Sequence, residues 1–296
     1  YHNGTGCVQN YTTAFEWFTK ASAQGDGLAM NSLGNCYANG KGCEQDYTKA
    51  VEWYTKASEQ ENSGAMLNLG LCLDLGWGCD QDYTTAFKWF TKASAQGNSG
   101  AMFQLGMCYA EGHGCDQDYT KAVQWYTQAS AQGDSFAMFN LGVCWMMGSG
   151  CDQDSTKALE WFTKASALAQ GDSSDFAIYN QTPKPTDERM RAMNSLGMCL
   201  LNGWGCDQNP TMAVVWFTKA TAQGNSDAMF NLGVCWMNGH GCDQDYTKAV
   251  EWYTKASAQG NSSAMFNLGV YYGKGHGCDQ DYTTAFKWFA KASAQG

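Results

Sequence analysis

The chain has 296 residues, a formal net charge of −10 and fourteen cysteines. It has no polybasic run, which argues against nucleic acid and against an anionic membrane surface, because both need clustered Lys and Arg. No apolar run approaches the roughly 18 residues of a spanning helix, and no CxxC pair is present to suggest metal or redox chemistry.

One phrase recurs throughout. Its Ala-Met step falls at Ala29, Ala65, Ala101, Ala137, Ala192, Ala228 and Ala264, so the period is 36 residues with a single gap of 55. A fixed period in this range predicts a helical solenoid, each unit packing only on its neighbours. In chain order, residues 1–25 hold the turn and second helix of a half repeat. Residues 26–168 hold four repeats, with first helices near 28–39, 64–75, 100–111 and from about 136. Residues 169–191 form an insertion with Pro183, Pro185, Arg189 and Arg191 that reads as an exposed loop, DERMR extending the next helix. Residues 192–296 hold three more repeats. There is no initiator Met and no signal-like start, and neither end carries a capping repeat. The expectation is a processed product or a slice of a longer array, or ends that meet other copies.

One repeat, residues 28–61, shows the logic. Ala29, Leu33, Cys36 and Tyr37 share one face of a first helix. Gly34 lies on that helix, where Gly costs about 1 kcal/mol relative to Ala, and its equivalents recur at 70, 106, 142, 197, 233 and 269. A neighbouring helix crossing too closely for a Cβ is the expected reason. Gly40 and Gly42 end the helix and turn the chain. Asp46 caps a second helix whose buried stripe is Tyr47, Ala50, Val51, Tyr54 and Ala57, with Lys56 in the last turn to suit the dipole.

The spaced residues Ala101, Leu105, Gly106, Tyr109, Gly112, Gly114, Asp118, Lys121, Ala122, Trp125, Ala129, Gln132 and Gly133 resemble the Sel-one-like repeat (SLR) family, relatives of the tetratricopeptide repeat. The match covers all of the chain except the insertion. It implies a right-handed superhelix of helix pairs and a role in protein–protein contact. The predicted fold is therefore all-α: one α/α solenoid of about 7.5 antiparallel helix-pair repeats of 36 residues over 1–296, stapled by disulfides.

Within repeats the cysteines are spaced C-x6-C: Cys36/Cys43, Cys72/Cys79, Cys108/Cys115, Cys144/Cys151, Cys199/Cys206 and Cys235/Cys242. A bridge closing so short a loop is worth about 2–2.5 kcal/mol by chain entropy. The rival set joins repeats: Cys7–Cys36, Cys43–Cys72, Cys79–Cys108, Cys115–Cys144, Cys151–Cys199 and Cys206–Cys235. Spacing alone leaves both open, although the short, constant loop favours the first. Reduced cysteines acting as small apolar residues are the third reading. Secreted cysteine-rich SLR proteins of bacteria staple each helix pair near the positions of Ser58 and Ala65, so neither their staple nor their β-lactam chemistry carries over.

His113, His240 and His276 share the middle slot of the G-x-G turn with Trp77 and Trp204. That tolerance indicates a surface position, with the Trp as contact anchors. The D-x-D pairs 80/82, 116/118, 152/154, 243/245 and 279/281 suggest calcium, but a capping role for the second Asp is preferred. Trp17, Trp53, Trp89, Trp125, Trp161, Trp216, Trp252 and Trp288 read as packing rather than sugar binding. Four N-glycosylation sequons fall at Asn3, Asn10, Asn180 and Asn261.

No residue set reads as an active site, and no cofactor or metal is expected. Cysteines and sequons together favour an extracellular, secreted protein, with the ER lumen or periplasm as alternatives. The near-identical units suggest a structural scaffold assembling end to end into a rod, filament or surface layer. The alternative is an adaptor holding a partner protein in its concave groove, with the insertion as its distinctive feature. Partners are thus other copies or other proteins.

Overall fold

The structure, a computed structural model, describes residues 8–167 and 185–295. The described residues form fifteen α-helices and no strand. The first helices of the repeats are α2 (Gly27–Asn39), α4 (Ser63–Leu75), α6 (Ser99–Glu111), α8 (Ser135–Met147), α10 (Pro185–Asn202), α12 (Ser226–Asn238) and α14 (Ser262–Lys274). The second helices are α1 (Tyr11–Ser22), α3 (Tyr47–Glu59), α5 (Tyr83–Ala95), α7 (Tyr119–Ala131), α9 (Ser155–Ala167), α11 (Pro210–Thr221), α13 (Tyr246–Ala258) and α15 (Tyr282–Gln295).

Local chemistry sets the helix ends. In the repeat built on α4 and α5, Asn62 Oδ1 accepts from Ala65 N at 2.8 Å, and Asp82 Oδ1 accepts from Thr85 N at 3.0 Å. Each side chain satisfies a backbone donor that the helix leaves open. Gly76 closes α4 in the left-handed conformation, its N–H returning to Cys72 O. Gln81 then spans the turn. Its Nε2 donates to Asp74 O at 2.6 Å and to the Tyr83 hydroxyl at 2.9 Å, tying the end of one helix to the start of the next.

The glycine inside each first helix has a specific neighbour. A Cβ on Gly70 would lie 2.5 Å from the Phe90 ring, and one on Gly106 would lie 2.4 Å from the Tyr126 ring. The close crossing expected from sequence is therefore an aromatic ring of the paired second helix packed against the glycine. Repeats meet at the second turn glycine. Gly78 has φ +73° and its Cβ would stand 2.3 Å from the Tyr47 carbonyl of the preceding repeat. No side chain fits there, and L residues also resist that φ.

The described residues group into two compact units, one of 8–144 with 148–152, the other of 145–147, 153–167 and 186–295. The first has its core in Leu33, Tyr54, Leu67, Phe90, Leu105 and Tyr126, all essentially without solvent contact. It also buries a polar network: Asn68 Nδ2 donates to Asn31 Oδ1 at 3.1 Å and Asn35 Oδ1 at 3.2 Å, and the Tyr54 hydroxyl donates to Asn35 Oδ1 at 2.8 Å. The second unit centres on Phe217 and Leu232, then Tyr253 and Leu268. There α10 begins at Pro185, so the DERMR stretch is helical and Arg189 Nε donates to Ser166 O at 3.1 Å. DERMR thus extends the next helix as expected, the helix starting at Pro185, and the rest of the insertion, 169–184, lies outside the described residues.

Candidate functional site

Within each repeat the exposed, chemically varied residues gather at the end of the first helix, the G-x-G turn and the start of the second helix. The last residue of the first helix is in turn Asn39, Leu75, Glu111, Met147, Asn202, Asn238 and Lys274. The turn slot holds Lys41, Trp77, His113, Ser149, Trp204, His240 and His276. Leu75, Met147, Trp204, Tyr119, Tyr246 and Tyr282 are all solvent-exposed here, Met147 at 71% and Trp204 at 44%. Glu44, Asp80, Asp116, Asp152, Asp207, Asp243 and Asp279 add one exposed carboxylate per turn.

The slot is more than a surface position. Where the preceding second helix begins with Tyr, a ring in the slot packs on it: His113 stacks on Tyr83 with centroids 4.1 Å apart and His276 on Tyr246 at 5.2 Å, while Trp77 lies tilted against Tyr47 at 5.2 Å. Lys41 Nζ lies 5.3 Å from the Tyr11 ring in the same manner. A planar or cationic group suits an aromatic face, which explains why Lys, Trp and His exchange there. The sequence signal was available as a 30-residue spacing between Tyr and slot, but only packing shows the contact. His113 Nδ1 also lies 3.3 Å from Glu111 and 3.8 Å from Asp74, and burial holds the Asp74 carboxyl above its ordinary value.

The cysteines line the inside of this edge. Cys36, Cys72, Cys108, Cys144, Cys199 and Cys235 are buried on the first helices, while Cys43, Cys79, Cys115, Cys151, Cys206, Cys242 and Cys278 are half-buried after the turn. None of the thirteen described cysteines is in a disulfide, so the stapled state expected from sequence is not the one seen; Cys7 lies outside the described residues. Burial pushes the thiols of Cys36, Cys144 and Cys199 up to about 11 and that of Cys235 up to about 12, with a further rise from the second cysteine of the same repeat.

Other predicted sites resolve into structural roles. The second Asp of each D-x-D pair caps a helix through its carboxylate, as Asp118 does to Lys121 N at 3.0 Å. Among the described residues no group of three or more His, Cys, Asp or Glu side chains is placed to hold a metal ion. Two sequons are caps as well: Asn10 Oδ1 accepts from Thr13 N, and Asn261 Oδ1 accepts from Ala264 N while its Nδ2 donates to Asp227 Oδ1 at 3.0 Å. Asn3 and Asn180 lie outside the described residues. The Trp of the second helices carry a Lys three residues on, with Lys56 Nζ 4.2 Å from the Trp53 ring and Lys255 Nζ 4.1 Å from Trp252. At Trp125 the corresponding residue is Gln128.

The Sel1 repeat family matches residues 1–26, 27–62, 63–98, 99–134, 135–169, 191–225, 226–261 and 262–296. The chain belongs to the Sel1 repeat family. Its fold is similar to that of a protective antigen from uropathogenic Escherichia coli with an SLR fold, at TM-score 0.77 and 32% identity. That match covers 100% of this chain and 59% of the antigen. A Sel1 repeat protein from Oxalobacter formigenes matches at TM-score 0.74 and 25% identity, covering 88% of this chain and 96% of that one. No functionally curated protein matches the chain.

Sel1 repeats are in general non-enzymatic scaffolds for protein–protein contact. In these Sel1 repeats the buried columns, such as Ala65, Leu69, Gly70 and their equivalents, hardly change, because each meets a ring or helix that also repeats. The last helical residue and the turn slot change from copy to copy. Variation at this solvent edge alters contact without disturbing the stack, whereas buried exchanges such as Phe90 for Tyr126 stay within one class of side chain.

Proposed function

We propose that this protein is an extracellular or lumenal Sel1 repeat scaffold that engages a partner protein along its turn edge. The supporting observation is that the turn edges of each unit carry exposed apolar anchors, Leu75 in the first and Met147 and Trp204 in the second, beside one exposed carboxylate per turn. Large apolar side chains supply binding energy. The acidic row and net charge of −10 select a partner segment carrying Lys or Arg and speed its approach at low salt. To test this, photo-crosslinking groups are placed at Leu75 and Trp204, and the captured partner is purified and titrated against the whole chain. Trp204→Ala is expected to weaken that partner at least tenfold, and added salt to slow its association. Unchanged affinity in both Trp204→Ala and Leu75→Ala would remove the edge from the interaction.

A further inference from the structure

We propose that the two cysteines of each complete C-x6-C repeat are a redox pair that closes as an intra-repeat disulfide, giving Cys36–Cys43, Cys72–Cys79, Cys108–Cys115, Cys144–Cys151, Cys199–Cys206 and Cys235–Cys242. Placement carries this inference. In each pair one thiol is buried near the end of the first helix and the other sits half-buried across the G-x-G turn. Cys115 Sγ is already 3.5 Å from the carbonyl oxygen of Cys108, and Cys206 Sγ 3.8 Å from that of Cys199. In these two repeats the turn sulfur therefore reaches the backbone of its partner residue, and closure needs the two side chains to rotate toward each other.

Electrostatics select the same partners. The ionisation of every buried thiol is opposed by the turn cysteine of its own repeat and by no other cysteine. For the inter-repeat pairs Cys43–Cys72, Cys79–Cys108 and Cys206–Cys235, neither thiol raises the pKa of the other. The repeat of α14 and α15 is an internal control: Tyr271 replaces the buried cysteine and packs against Tyr246 with centroids 6.1 Å apart, leaving Cys278 without a mate in its repeat.

Closure is thiol–disulfide exchange. The turn cysteine, which meets solvent, loses its proton and attacks a sulfur of an external disulfide such as oxidised glutathione, forming a mixed disulfide and expelling one thiolate. The buried cysteine then attacks the protein sulfur of that mixed disulfide and expels the second. Two protein thiols are oxidised by two electrons, the external disulfide is reduced to two thiols, and both protein protons leave with it. The inference is independent of the partner edge.

The test is equilibration of the full chain with oxidised glutathione or with dithiothreitol, followed by alkylation in denaturant, intact mass and peptide mapping. After oxidation the expected result is two alkylated cysteines, Cys7 and Cys278, with two hydrogens lost per closed pair and the melting temperature raised. After dithiothreitol all fourteen cysteines are alkylated. In the oxidised Cys79→Ser protein one further label should appear, on Cys72. Cys242→Ser gives the parallel result on Cys235 if the first variant folds poorly. The proposal is overturned by fourteen alkylated cysteines in the oxidised protein, by glutathione retained on the turn cysteines, by peptides joining neighbouring repeats, or by the new label appearing on Cys108.

Discussion

Gly70 shows how far one atom matters in this architecture. Exchange for Ala improves helix propensity by about 1 kcal/mol, yet the new Cβ would stand 2.5 Å from the Phe90 ring. Phe90 is fully buried, so the ring has no solvent side to move into. Overpacking of this kind costs about 1–3 kcal/mol, and Gly70→Ala is expected to be net destabilising by urea titration. Glu61 gives the opposite sign. It adopts φ +57°, where five equivalent positions, Gly25, Gly97, Gly133, Gly224 and Gly260, hold glycine. The left-handed conformation costs a side-chain residue about 1–2 kcal/mol, part of which glycine returns through its looser unfolded chain. Glu61→Gly is expected to stabilise by about 0.5–1 kcal/mol in the same assay.

At the scale of the helix, the caps give the molecule its acid response. Hydrogen bonds from Thr85 hold the Asp82 carboxyl below the usual carboxylate range, and bonds from Lys49 do the same for Asp46; Asp118, Asp154, Asp245 and Asp281 behave alike. For a depressed pKa the stabilisation is complete above the unfolded value of about 3.9 and is lost as pH falls through the folded value. Asp74 has the reverse sign. Burial raises its pKa despite His113, so the folded state keeps the proton to higher pH and loses stability as pH rises above about 3.9. Asp82→Asn is expected to leave neutral stability almost unchanged, because Asn caps as well as Asp, and to move the acid-unfolding midpoint to lower pH by circular dichroism. Asn10 and Asn209 already hold the same cap without a titrating group. Asp74→Asn should raise the urea midpoint at pH 7.5 more than at pH 4.

Across the whole molecule, stability is a sum of repeats and the contacts between neighbours. The turn glycine is such a contact. Gly78 seats its turn on the Tyr47 carbonyl, and Gly114 does the same on Tyr83. Gly114→Ala is expected to weaken the coupling more than either helix, lowering and broadening the urea transition. A helix-surface change such as Lys88→Ala should shift neither its midpoint nor its slope appreciably. Hydrogen exchange would locate the faster opening in α5 through α7. The insertion sets a different limit, since it separates the regular array before Ser155–Ala167 from that after Pro185 without altering the family match on either side.

The sequence by itself determined the class of fold, the 36-residue period, the helix pairs and their Asp caps. These depend on local chemistry and on a pattern written out many times, so they survive without tertiary information. It also placed a glycine in each first helix and a pair of thiols around each turn. Tertiary structure decided what each of them meets: the glycine a ring of its own repeat, the turn glycine a carbonyl of the repeat before, the slot side chain a Tyr thirty residues upstream. Such contacts join residues far apart in the chain through specific distances and orientations, and spacing along the chain fixes neither.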